Sequence, residues 1–345
     1  LDDAPKDGTP LSLRLAVGPQ GAVVVLSPQT GDVLAMVSGD EVSPGGFNRA
    51  SRALRQPGSA FKPFVYLEAL RSRRYTTATL LDDSPEVEGD WKPENAHGAD
   101  GHLGRVTMRH ALAHSLNLPS VKLIRDITPR KVAELARLLG ISSPMSETSS
   151  LALGASGVTP LELAAAYSTL AAGGVRRGPW LVKKVVNRHG RELPLAGRIG
   201  TPVIAPEEAF LITSLMRSVV SEGTGKEALT LKMPLAGKTG TTDDAKDAWF
   251  AGYSTRIAAV VWVGYDEPRP IGKREYGAVA ALPVWVEVMR LAHGKTVPEE
   301  FVPPPGVVTA LIDPASGLLA WDGMENPVEE YFIEGTEPEE QALPP

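Results

Sequence analysis

Residues 235–263 read LAGKTGTTDDAKDAWFAGYSTRIAAVVWV. The stretch holds three strand-like runs, Leu235 to Thr242, Ala248 to Tyr253 and Arg256 to Val263. Near the other end of the chain, Val23 to Leu26 and Val33 to Val37 flank Ser27-Pro-Gln-Thr-Gly31, a hairpin signal. Between these strand sets the periodicity is helical. From Asn48 it runs to Leu70, broken by Gln56-Pro-Gly58; it resumes over Thr107 to His114, Pro119 to Ile124 and Pro129 to Leu139, where Gly140 is a stop. Thr159-Pro160 opens a helix over Leu161 to Ala172, closed by Gly173-Gly174, and further helices cover Glu207 to Val220 and Pro283 to Leu291. Residues 76–105 are loop-like. The C-terminal strands must therefore meet the first hairpin in one antiparallel sheet. That is an α+β fold: an antiparallel sheet flanked by helices, with an adjoining all-helical lobe.

Composition narrows the class. A chain of 345 residues with 43% hydrophobic and 22% charged residues is long enough for a large core and ordinary for a globular protein. No run approaches a membrane span. There is no cysteine, which excludes disulfides, thiolate zinc sites and a cysteine nucleophile. The chain begins at Leu1 without a methionine or signal segment, and residues 1–20 read as a linker from a missing upstream region. A net charge of −6 argues against a nucleic-acid surface. After Lys295 there are eleven acids and no base, so the rest of the chain is net positive. Residues 296–345 are expected to be an acidic, proline-containing, solvated extension following a domain over 21–295.

Three strings occur once each, in order: Ser59-Ala-Phe-Lys62, Ser115-Leu-Asn117 and Lys238-Thr-Gly-Thr241. Ser59 and Lys62 stand three apart at a helix entry and share one face. A serine hydroxyl needs a base to become a nucleophile, and a lysine made neutral by burial and nearby cations can be that base. Ser115 and Asn117 fall at a break between two helices, where a hydroxyl can relay a proton and Asn117 can hold Lys62 or a substrate amide. Lys238, Thr239, Gly240 and Thr241 lie in a strand whose backbone can pair with an extended peptide. Gly240 allows close approach, and Lys238, Thr239 and Thr241 suit a terminal carboxylate. The backbone N–H groups of Ser59 and Thr241 are the candidate oxyanion hole. Each string alone has a bland explanation, a chance Ser-x-x-Lys, a turn or a glycine bulge. All three in this order, each on the right kind of element, do not.

Other candidates carry less. His110 and His114 have a zinc-protease spacing but lack the intervening glutamate, so no metal is expected. Gly223-Thr-Gly225 is too short for a phosphate loop and reads as a helix cap. No cofactor is expected.

The motif set resembles that of penicillin-binding proteins and class A β-lactamases. The likeness to the transpeptidase domain of class A penicillin-binding proteins extends over about residues 20 to 295. It includes Arg55-Gln-Pro-Gly-Ser59-Ala-Phe-Lys62-Pro-Phe64, Thr107-Met-Arg-His-Ala-Leu-Ala-His-Ser115-Leu-Asn117 and Leu151-Ala-Leu-Gly-Ala-Ser156. It also includes Thr159-Pro-Leu-Glu-Leu-Ala-Ala-Ala-Tyr167, Gly237-Lys-Thr-Gly-Thr-Thr242 and Asp247-Ala-Trp-Phe-Ala-Gly-Tyr253. Leu311-Ile-Asp-Pro-Ala-Ser-Gly317 with Glu334-Gly-Thr336 is similar to the family's C-terminal ends.

The resemblance implies Ser59 as the acylated serine, Lys62 as its base, and Ser115 with Asn117 as the relay pair. It implies Lys238, Thr239 and Thr241 as carboxylate and strand contacts, and places Trp91-Lys-Pro-Glu-Asn95, Asn95 included, beside the donor groove. The implied reaction is D,D-transpeptidation of peptidoglycan stem peptides ending in D-Ala-D-Ala, with covalent inhibition by β-lactams. A D,D-carboxypeptidase, a β-lactamase and a non-catalytic β-lactam-sensing domain are the alternatives. The Glu-x-x-Leu-Asn string that serves β-lactamase deacylation is absent between Asn117 and Lys238. Glu134 and Glu162 in that interval read as structural. The family also implies an upstream glycosyltransferase domain, a membrane anchor and an extracytoplasmic location. Two departures stand out: no glycosyltransferase domain lies in this chain, and Asp243 follows Thr242 where asparagine is usual.

Overall fold

Strand β1 (Gln20–Leu26) turns Ala22, Val24 and Leu26 into one apolar core and Val25 into another, so it belongs to a sheet covered on both faces. The computed structural model that shows this describes residues 18–39, 46–85, 87, 91–95, 102–195, 199–272 and 276–344. Nearly all of the 1–20 linker and the side chain of Asp243 lie outside the described residues. β1 pairs with β2 (Val33–Ser38), and the later strands are β3 (Ala236–Thr241), β4 (Asp247–Tyr253) and β5 (Ala258–Gly264). The sheet order is β2-β1-β5-β4-β3, antiparallel throughout, with Val24 opposite Val260 where the two ends of the chain meet. β3 is therefore an edge strand.

The α-helices longer than four residues are, among the described residues, α1 (Lys62–Arg71), α2 (Met108–Ala113), α3 (Asn117–Ile127), α4 (Pro129–Leu139), α5 (Pro160–Ala171), α6 (Pro206–Ser221) and α7 (Leu282–His293). α1, α5 and α6 share one core with Trp249, Tyr253, Val260 and Trp262 of the sheet. On the opposite face Trp285 and Met289 of α7 pack with Phe250, Ala259 and Val261. Every residue of α1 from Lys62 to Leu70 is buried. A helix enclosed on all sides is the central element of its domain, and the lysine at its first position is fully buried. Within the segment expected to be loop, Leu80–Asp82 pairs with Arg105–Thr107. Glu162 closes a capping box with Thr159 and accepts from Ser142 and Ser143, while Glu134 pairs with Arg130. Both have the structural roles the sequence suggests.

The acidic tail is not a solvated appendage. Residues Val307–Ile312 (β6) and Val328–Ile333 (β7) form an antiparallel pair. Ile312 and Phe332 bury themselves with Ala78, and Tyr331 meets the ring of Phe210 edge-on. Glu330, one of the counted acids, forms a two-pronged ion pair with Arg109 of α2, at 2.5 and 2.6 Å. Arg109 also donates to Ser214 O and Ser218 Oγ of α6, both at 2.9 Å. Counting charge misses this because the base that neutralises Glu330 lies 221 residues upstream. With only 2% of the Glu330 side chain exposed, Arg109→Leu leaves a buried, unpaired carboxylate. The expected loss of stability is about 3–5 kcal/mol, measured by denaturant unfolding; a loss under about 1 kcal/mol would show that the pair is solvated.

Candidate active site

The Gln56-Pro57 break lets the chain enter α1 through a tight 3-10 turn, Gly58–Phe61, with Ser59 partly exposed at its second residue. The turn is held from behind. Trp249 Nε1 donates to Gln56 O at 2.8 Å and Tyr167 Oη to Ala60 O at 2.7 Å. Arg55 pairs with Asp247 at 3.1 Å beneath a cation–π contact with Trp262, whose Nε1 donates to the same carboxylate. In front, the turn lies directly on β3. Gly58 has φ +56°, and a Cβ there would stand 2.4 Å from Thr241 O. A Cβ on Gly240 would stand 2.2 Å from Pro57 O. Side chains at either position would separate the Ser59 turn from the strand. Gly240 therefore acts through backbone approach, and the segments bearing Ser59 N–H and Thr241 N–H are in contact.

Lys62 points from α1 to the α2–α3 junction. Its Nζ donates to Asn117 Oδ1 at 2.6 Å, Ser115 O at 2.7 Å and Leu116 O at 3.0 Å, with Ser115 Oγ at 3.4 Å. Ser115 sits at φ +58°, a left-handed conformation costly for a non-glycine residue and characteristic of functional sites. Lys238 reaches the same hydroxyl from β3, at 2.8 Å. One serine oxygen thus joins two buried amines. Burial pushes the Lys62 pKa well below the ordinary lysine value, the charge of Lys238 pushes it further, and Asp83 pulls weakly the other way. Burial lowers Lys238 to about 7. Each amine can therefore exist neutral, with a lone pair to accept a proton, which a solvated lysine at that pH cannot.

Asn95 is not a groove-facing ligand. Its Nδ2 donates to Asp83 Oδ1 at 2.8 Å, and its Oδ1 accepts from Asn117 N–H at 2.8 Å and Leu118 N–H at 3.3 Å. Its amide caps the open first turn of α3, with the oxygen accepting twice and the nitrogen committed to Asp83. Asn117 Nδ2 in turn donates to Glu94 O at 2.6 Å. The Trp91–Asn95 segment thus anchors the relay loop. Asp83 was not visible from sequence, since no local pattern marks one acid in a polar loop as the fully buried one.

β3 presents the remaining contacts. Thr241 Oγ1 accepts from Gly277 N–H at 3.0 Å, which leaves its own proton available. Thr239 Oγ1 lies 2.7 Å from Thr224 Oγ1, a residue that the sequence assigned only to a helix cap. His110 of α2 and His114 at its C-terminal cap place their rings 4.2 Å apart, tilted by 36°.

Residues 21–289 match the penicillin-binding protein transpeptidase domain family, and residues 303–342 match the penicillin-binding protein 1A C-terminal domain. Penicillin-binding protein 1A of Aquifex aeolicus is 38% identical over 92% of this chain and 44% of its own length. That of Pseudomonas aeruginosa is 33% identical over 99% of this chain and 48% of its own length. The chain spans less than half the length of either. The crystal structure of Haemophilus influenzae penicillin-binding protein 1A superposes with a TM-score of 0.88 at 30% identity, over 96% of this chain and 56% of that one. PonA1 of Mycobacterium tuberculosis in complex with penicillin V superposes with a TM-score of 0.75 at 30% identity, over 82% and 80% of the two chains. The serine turn, the paired lysines and the edge strand are thus carried on a chain that belongs to the penicillin-binding protein transpeptidase family.

Proposed function

We propose that this chain is the D,D-transpeptidase domain that cross-links peptidoglycan stem peptides. The observation that carries the reading is the single hydroxyl of Ser115 held between the buried amines of Lys62 and Lys238, beside a serine turn packed on an open strand edge. A stem peptide ending in D-Ala-D-Ala pairs with β3, its carboxylate toward Thr239 and Thr241 and its scissile carbonyl at Ser59. Neutral Lys62 takes the Ser59 proton as Oγ attacks. The negative oxygen forms at the Ser59 and Thr241 N–H groups. Ser115 passes the proton to the departing D-alanine nitrogen, Lys62 supplying it, and an ester remains on Ser59. The amine of a second stem peptide attacks that ester, gives up a proton to Lys62 and forms the cross-link. A β-lactam acylates Ser59 in the same way, but its leaving nitrogen stays tethered.

Glu134 and Glu162, the two acids considered as deacylating bases, are engaged in Arg130 and in the α5 cap. That favours a long-lived acyl-enzyme over a β-lactamase. The chain spans less than half of the relatives it matches, and the family resemblance supports a glycosyltransferase domain upstream and a membrane-anchored parent protein with this domain outside the cytoplasm.

The test joins two measurements on the wild-type chain. Incubation with a fluorescent penicillin, followed by intact mass over hours, should give one persistent adduct per chain. A D-Ala-D-Ala peptide with an amine acceptor should give D-alanine and an acceptor-linked product. Rapid loss of the adduct with hydrolysed penicillin accumulating would indicate a β-lactamase. D-Alanine release without acceptor product would indicate a carboxypeptidase, and an adduct without turnover a sensor.

A further inference from the structure

Between α6 and β3 the chain turns through Gly223-Thr224-Gly225, and the turn is pinned on several sides. Thr224 N–H donates to Ala113 O at 3.2 Å and Gly225 N–H to Val219 O at 2.8 Å. Gly223 lies so close to the last turn of α2 that a Cβ would stand 2.1 Å from Ala113 O. Only glycine admits that approach. Ala113 is two residues from Ser115, so the helix end that carries the relay hydroxyl also locates Thr224. The result is the 2.7 Å contact between Thr224 Oγ1 and Thr239 Oγ1.

Two hydroxyls at this distance use one of their two protons between them, and the other is free. Lys238 Nζ stands 3.4 Å from Thr239 Oγ1, on its accepting side. Either hydroxyl can donate across the 2.7 Å contact; a proton given by Thr224 to that oxygen leaves the Thr239 proton to point along the open edge of β3. We propose that Thr224 is a positioning residue for carboxylate recognition: its hydroxyl holds Thr239 as an outward donor toward the terminal carboxylate of the bound peptide or β-lactam. This rests on the acyl-transfer reading above. It adds that the selectivity of the strand for an anionic terminus depends on a loop outside all three motif strings.

The test compares acylation of wild type, Thr224→Val and Thr224→Ser by benzylpenicillin and by its methyl ester, followed by intact mass. Valine keeps the shape and removes the hydroxyl; Thr224 is partly exposed, so the fold tolerates it. The expected result is about a tenfold fall in the second-order rate for benzylpenicillin, with under about a twofold change for the ester. Thr224→Ser should restore the difference. An equal loss with both compounds would mean a general packing role and overturn the proposal. So would an unchanged or faster reaction with benzylpenicillin, which would mean that Thr239 ordinarily donates to Thr224. Failure of the wild type itself to form an adduct would overturn the acyl-transfer reading, an outcome distinct from either.

Discussion

Ser59→Ala is expected to abolish the penicillin adduct and to lower transpeptidation by on the order of a millionfold, since removal of a nucleophile removes the whole covalent route. No cysteine can substitute. Ser115 is another hydroxyl of the site, but Lys238 donates to its oxygen at 2.8 Å and its backbone carbonyl accepts from Lys62 at 2.7 Å. Among the described residues the Ser59 hydroxyl has no hydrogen-bond partner to lose. The turn is held through Gln56 O and Ala60 O and not through the serine side chain. The variant should therefore fold with an unchanged unfolding midpoint. Intact mass after hours with a fluorescent penicillin decides the matter: an adduct of undiminished yield on Ser59→Ala would assign the nucleophile elsewhere.

Lys62→Met should slow acylation by about 10²–10⁴-fold, the usual contribution of a positioned general base, while leaving Ser59 in place. Methionine fills the buried space and removes the amine together with four hydrogen-bond contacts at the α2–α3 junction, so circular dichroism should accompany the rate measurement. The sign of the pH dependence follows from burial. The Lys62 pKa is depressed, and only the neutral amine accepts the serine proton. Acylation of the wild type therefore falls as pH drops through that value and levels off above it. Lys238, itself at about 7, is part of the cause. In Lys238→Met the neighbouring cation is gone, so the Lys62 pKa rises and the acid limb of the first-order acylation rate moves to higher pH. A limb that stays put or moves down would mean that Lys238 does not act on Lys62 through charge.

Much of this site is written in short strings. A proline-glycine break before Ser59, a serine and an asparagine between two helical periods, and a glycine in an apolar strand are local features. Local backbone rules place each on its element. That the first hairpin and the last three strands share one antiparallel sheet was also legible, whereas their order within it came from the structure. Asn95 shows where this stops. Its neighbourhood in sequence is polar and loop-like, and nothing there indicates that its amide closes the first turn of a helix beginning at Asn117. The acidic tail shows it again. Charge counting treats eleven acids alike, whereas folding buries Glu330 against Arg109 and leaves Glu299, Glu325 and Glu329 at the surface.

The sequence by itself determined which groups are present: a serine, two lysines, a relay hydroxyl and a strand, in an α+β frame. The tertiary structure alone decided what those groups are chemically. Lys238 and Ser115 are 123 residues apart and Lys62 and Ser115 are 53 apart, yet both buried amines reach one oxygen. A lysine is an exposed cation in any local description. It becomes a base only when elements distant in the chain remove its solvent and set a second amine beside it, because the cost of burying charge depends on everything packed around the site.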